Sequence, residues 1–266
     1  MLSDVVKQLL PRLHTLCEDS LPVIPWGCPV PVFGTPWSRI ATLGLNPSNK
    51  EFMDDDGNEL TGNMRRFNTL ASLGLSSWMN ATETDVSAIV GDCCEYFHRN
   101  PYDRWFRKLD QIFSDTGFSY YSSHNAMCHL DVIPFATACK WSELSRRNRN
   151  DLEKNTAELL AKILRDSSIE ILVLNGQSVV STFEKFAGHR LKSKTIAEWH
   201  LPRRNGKAVK GIEYFATIDK IWGIPLGRTI SVWGFNHNLQ SSFGVTRSVT
   251  ASIRNHLTEI VEKAGL

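Results

Sequence analysis

The sequence predicts an α/β fold with a mainly parallel central sheet and helices on both faces. Three short apolar runs, residues 39–45 (RIATLGL), 169–174 (IEILVL) and 229–234 (TISVWG), have the length and β-branched content of buried strands. Longer amphipathic stretches alternate with them. In residues 150–164, Leu152, Leu159, Leu160, Ile163 and Leu164 fall on one side of a helix. No internal repeat and no low-complexity linker divides the chain, so residues 1–266 read as one domain.

In chain order, Val5, Leu9, Leu13 and Leu16 are spaced for a first helix, which Pro11 should kink or interrupt. A proline-rich loop, residues 22–36, follows. Its tryptophans Trp26 and Trp37 read as packing anchors, and the whole of residues 1–38 as a segment packed on the domain. The strand at 39–45 ends in Asn46-Pro47-Ser48, where proline forbids simple continuation of a central ladder. The polar stretch 49–63 fails as a calcium loop: its sixth position is Glu59 rather than glycine, and no closing glutamate follows. Residues 85–97 and 103–113 read as helices. A second buried strand lies within 120–133, before Pro134-Phe135. The strand at 169–174 runs through Asn175-Gly176 into a helix ending near residue 186. A basic insertion, 186–212, contains a hairpin at 192–211 around Asn205-Gly206, a favoured two-residue turn. After the strand at 229–234, a last helix spans 245–263, with Val249, Ile253, Leu257 and Ile260 spaced for burial.

With 42% hydrophobic and 22% charged residues the composition is that of an ordinary globular protein. A net charge of +2 permits nucleic-acid binding without arguing for it. None of the six cysteines forms a C-x-x-C pair, which speaks against a zinc or iron–sulfur site and for free thiols in a reducing compartment. No metal and no cofactor is implied. The N-terminus lacks the unbroken apolar run of a signal peptide, and no stretch nears the roughly 20 apolar residues of a membrane span. A cytoplasmic protein without membrane contact or an obligate protein partner is expected.

In parallel sheets, sites form at the carboxyl ends of strands. Three such ends carry unusual polar sequences: Gly44-Leu45-Asn46-Pro47-Ser48, His129-Leu130-Asp131-Val132-Ile133-Pro134-Phe135, and Gly234-Phe235-Asn236-His237-Asn238-Leu239-Gln240-Ser241-Ser242. Asn46 can hold a water with its amide oxygen, or serve as a turn former. Asp131 sits between Leu130 and Val132 on a buried strand, where a carboxylate needs donors or a raised pKa. His237 can donate to a developing negative charge, or be a satisfied core histidine.

Together, G-L-N-P-S at the first strand end and H-N-L-Q-S-S at the last resemble the two catalytic motifs of the uracil-DNA glycosylase superfamily. The first looks like the G-[IM]-N-P-G motif of its mismatch-specific and single-strand-selective branches. The second resembles H-P-S-P-x-S, here without either proline. The resemblance implies a uracil-DNA glycosylase-like α/β/α fold and a catalytic pair, with Asn46 positioning the attacking water and His237 stabilising the departing base. It implies a DNA-wedging loop at Leu239 and Gln240, with Ser242 also on the DNA. Aligning D-V-I-P-F with the family's N-H-C-P-L-F puts Asp131 on the asparagine that reads the base. The aromatic that stacks on the base is Phe67 or Phe52.

The chemistry is coherent on its own terms. An N-glycosidic bond breaks through a cation-like sugar and an anionic base, which calls for preorganised donors, a positioned water, excluded solvent and an extruded base. No lysine stands at the strand ends, which argues against lyase chemistry and for a monofunctional enzyme. A carboxylate accepts from the amino group of cytosine, so Asp131 tilts the reading from uracil to a modified cytosine. The polar loop 49–63 would suit a bulky hydroxyl-rich substituent. In function this resembles anti-phage glycosylases acting on glucosylated hydroxymethylcytosine. Repair of uracil or a damaged pyrimidine, and an inert DNA-binding module, remain the alternatives. Phosphate contacts are expected from the basic hairpin, above all Arg203, Arg204 and Lys207, and from Arg146, Arg147 and Arg149.

Overall fold

A computed structural model describes residues 1–203, 206, 208–240 and 244–266. Helix α1 (Leu2–Glu18) buries Val5, Leu9, Leu13 and Leu16 and runs unbroken through Pro11. Pro11 and Lys7, whose carbonyl loses its helical donor at the proline, are both exposed, so water can satisfy that oxygen. Strand β1 (Ile40–Gly44) is buried at every position. It is followed by α2 (Leu70–Leu73), α3 (Glu83–Cys94) and α4 (Asp103–Asp110). Then come β2 (Cys128–Asp131), α5 (Arg146–Asp166), β3 (Ile171–Asn175), α6 (Gln177–Ala187), β4 (Lys192–Leu201), β5 (Val209–Ile221), β6 (Ile224–Phe235) and α7 (Arg247–Lys263).

The strands form one mixed sheet in the order β2-β1-β3-β6-β5-β4. The first four are parallel, and β5 and β4 extend the sheet antiparallel. The fold is therefore α/β with a mostly parallel sheet. From β1 the chain goes out to β2 and then returns to the other side of β1 as β3. That reversal opens a crevice at the carboxyl ends of β1 and β3.

Three expectations are corrected. The basic hairpin is not an appendage: β4 and β5 are the outer strands of the central sheet. The last strand is also longer than the apolar run 229–234, because a tight turn at Trp222 (φ 51°) and Gly223 (φ 74°) pairs it with β5 from Ile224 onward. Two positive φ values mark a hairpin turn that normally selects asparagine or glycine, so a tryptophan at the first position hid it. Trp37 is likewise no anchor, being 64% exposed, whereas Trp26 packs edge-on against Phe52.

A single apolar core runs from α1 to α7. Among the described residues no helix is long and apolar enough to cross a membrane. The antiparallel edge depends on a close approach: a Cβ on Gly211 would lie 2.2 Å from the Cβ of Trp199. Gly211→Ala should therefore cost about 1–3 kcal/mol in denaturant unfolding. Gly91→Ala, at an exposed helical position with no atom within 4 Å of the new methyl, should be neutral or stabilising by up to about 1 kcal/mol.

Candidate active site

A cavity of about 1090 Å³ occupies the crevice. Its walls come from the segment after β1 (Asn46, Glu51), from β2 (His129, Asp131), from α4 (Trp105) and from the chain following β3 and β6.

Strand alternation builds its floor. Register pairs Thr42 with His129 and Gly44 with Asp131, so these four residues share one face of the sheet. Asp131 and His129 are both almost wholly buried, and His129 Nε2 lies 3.4 Å from Asp131 Oδ1. A Cβ on Gly44 would stand 2.3 Å from that same Oδ1 and 2.9 Å from His129 Nε2. The missing side chain is thus the space the pair occupies. On its other nitrogen, His129 Nδ1 is 2.6 Å from Thr42 Oγ1, which also contacts the Tyr120 hydroxyl. With the ring proton on Nε2 facing the carboxylate, Nδ1 accepts from Thr42, and Thr42 accepts from Tyr120. Phe33, Trp105 and Phe106 enclose the imidazole, with ring centroids 5.0–5.5 Å away.

Asn46 reaches the same cavity. Its amide nitrogen donates to the Pro47 carbonyl and to Thr137 Oγ1, both at 3.0 Å. Both amide hydrogens are spent on the protein, so the oxygen is the atom left to hold a water.

Sequence reasoning missed Glu51, His129 and Trp105. Glu51 is the least expected of them. It lies in a turn following Asn46, is 3% exposed, and lines the cavity. Burial pushes its carboxyl up to about 8, and the negative charge of Asp131 adds to the effect. The Tyr96 hydroxyl, 2.7 Å from Oε2, and the Arg66 guanidinium oppose it. Nothing in the sequence separates Glu51 from the half-buried Asp54 and the exposed Asp55 and Asp56 nearby. His129, though equally uncalled, could have been found, standing two residues before Asp131 and hence on the same face of a strand.

His237 is elsewhere. It is buried, and its Nε2–H donates to the Trp199 carbonyl at 2.7 Å. Asn236 and Asn238 line the cavity, whereas in the bend that follows β6 the His237 ring between them turns onto β4. Burial lowers its pKa. Phe67 and Phe52 are also corrected. Phe67 stacks on Tyr96 at 5.1 Å and Phe52 packs against Phe67, both within the core. The partly buried aromatics on the cavity are Trp105, Tyr102 and Trp141.

Leu239 is buried rather than protruding, and Gln240 is fastened down. The Gln240 side chain accepts from Asn175 Nδ2 at 2.9 Å and donates to the Trp105 carbonyl at 3.4 Å. The loop is tied to β3 and α4, which corrects the wedge expectation for both residues. Of the loop 49–63, only Asn49 and Glu51 line the cavity. Asp54 folds the rest on itself by accepting from the backbone of Asp56 and Asn58. The cavity extends instead towards α5 and α6, beside Ser142, Asn150, Gln177 and Ser181.

Arg203 is exposed beyond β4, at the same end of the sheet as the carboxyl ends of the parallel strands. Arg204, Lys207 and Ser242 lie outside the described residues. Helix α5 opens with Arg146, Arg147 and Arg149 and no acid, against the preference set by the helix dipole. Arg149 turns back to the Leu144 carbonyl and Arg147 faces Asp151, while Arg146 stands exposed at the cavity. Lys185 and Lys140 also reach the lining, though not from strand ends, and Lys185 is paired with Glu153 at 3.2 Å.

No protein-family model matches the chain, and no curated protein matches it.

Gly44→Ala should abolish whatever activity the cavity has, while the protein stays folded by circular dichroism. His237→Ala should act on stability. It leaves the buried Trp199 carbonyl without its donor, a loss of about 1–3 kcal/mol in urea unfolding. The unfolded chain takes up this proton near 6.5, above the folded value. The contribution of His237 is therefore complete above pH 6.5 and lost as pH falls below it. A wild-type stability curve falling below 6.5 more steeply than that of His237→Ala would display this.

Proposed function

We propose that this protein is a monofunctional DNA glycosylase. It hydrolyses the N-glycosidic bond of an extruded modified pyrimidine, a modified cytosine of the kind carried by foreign (phage) DNA, and leaves an abasic site. The observation that carries the reading is the convergence of Asn46 and Asp131 on one cavity at the point where the strand order reverses.

Water positioning, base recognition and backbone contact each have a group suited to them. The free oxygen of Asn46 holds the attacking water. Asp131 takes His129 on Oδ1, which leaves Oδ2 to accept from an exocyclic amine. Trp105 offers an aromatic face to the base. The cavity, about 1090 Å³, has room for a base with a substituent. Arg146 at the cavity rim and Arg203 beyond β4 are exposed cations suited to phosphate contact.

Mass spectrometry of bases released from duplexes containing uracil, hydroxymethylcytosine or its glucosylated form tests the reading. Modified cytosine should be released preferentially, and Asn46→Ala should slow release about 100-fold or more without weakening DNA binding. Preferential uracil release overturns the base assignment. DNA binding with no release of any base overturns the enzyme. Borohydride should trap no protein–DNA adduct, and an adduct through Lys140 or Lys185 would replace hydrolysis by lyase chemistry. Neutralising Lys192, Lys194, Arg203 and Lys210 together should flatten the salt dependence of DNA binding, by roughly 0.9 in log–log slope per phosphate contact removed.

A further inference from the structure

A departing base carries negative charge, and with His237 committed to Trp199 that charge needs another donor. We propose that Glu51 is the general acid of this site, passing its proton to the base as the C1′–N bond breaks. The inference rests on the glycosylase reading and identifies its missing proton donor.

The direction of the hydrogen bonds locates the proton. The Tyr96 hydroxyl accepts from the backbone N–H of Tyr102 at 2.8 Å, so its own proton goes to Glu51 Oε2 at 2.7 Å. Oε2 is then an acceptor, and a proton held by Glu51 sits on Oε1. Among the described residues Oε1 takes no hydrogen bond, and Glu51 lines the cavity. The groups facing this carboxyl are Tyr96 from the turn after α3, Arg66 from the segment before α2, and Asp131 from β2 with His129 behind it. Arg66 Nε stops 4.0 Å short of Oε2 while its Nη1 donates to the Lys50 carbonyl, so no bidentate pair holds Glu51 ionised. The Lys50 ammonium is turned away, onto the Asp54 carbonyl and Asp55. Burial and the neighbouring carboxylate keep the proton on Glu51 at neutral pH.

The step balances without an added reactant. The C1′–N bond breaks with its electron pair going to the base, which takes the Glu51 proton on a ring nitrogen or carbonyl oxygen. The water held by Asn46 forms the new bond to C1′ and loses a proton to solvent. Once the neutral base leaves, Glu51 recovers a proton from solvent.

Two measurements on Glu51→Gln and the wild type test this. In single-turnover release from the modified-cytosine duplex, the variant should lose about 10²–10⁴-fold in rate with unchanged DNA affinity. Glutamine preserves a neutral hydrogen-bonding group, so a positioning role alone would leave the rate within a few-fold. The wild-type rate should fall as pH rises through about 8, and the variant should lack that limb. Separately, difference infrared spectroscopy of the protein without DNA should show at pH 7 a protonated-carboxyl band that Glu51→Gln removes. A variant as fast as wild type, or a Glu51 already ionised at pH 6, overturns the assignment whatever base is excised. A wild type that keeps the proton yet releases no base overturns the glycosylase reading and the leaving-group role with it.

Discussion

The site depends on the close apposition of Gly44 and Asp131 across two parallel strands. A carboxylate in a buried sheet is costly unless donors meet it. Here β1 supplies no side chain at the facing position, so the carboxylate fits against the strand and His129 comes within 3.4 Å of it. The imidazole is held by Thr42 and Tyr120 on its far side and by aromatic rings around it. Register, a glycine and a run of polar contacts together fix where one acceptor oxygen faces the cavity.

That placement organises the rest. The strand order reverses at β1 and β3, so their following segments diverge and leave the cavity between them. The first segment brings Asn46 with both amide hydrogens committed, and Glu51 with one carboxyl oxygen committed. Each is locked by its own neighbours with one atom left for a ligand. Preorganisation of this kind lets dipoles act without reorganising during a reaction.

What the sequence made legible follows from what local pattern encodes. Buried strands and amphipathic helices are repeated signals, so β1, β3, α5 and α7 were visible in apolar periodicity. Asn46 and Asp131 were visible as polar groups ending apolar runs. His237 was visible as a histidine but not in its direction, because a bend after β6 decides between cavity and core. Phe52 and Phe67 read as stackers for want of any local sign that Tyr96 and Phe33 would enclose Phe67, and Trp26 and Phe67 would hold Phe52. Glu51 was illegible because the groups that act on its carboxyl, Tyr96, Arg66 and Asp131, come from other parts of the chain. The turn at Trp222 and Gly223 was hidden by a residue type that seldom takes positive φ.

The most direct test of the central claim is a crystal structure of the Asn46→Ala protein bound to a duplex carrying one modified cytosine. The account predicts that nucleotide turned out of the helix, its amino group on Asp131, its ring against Trp105 and its substituent towards α5 and α6. A cytosine still stacked in the duplex, with the DNA bound on another face of the protein, would contradict it.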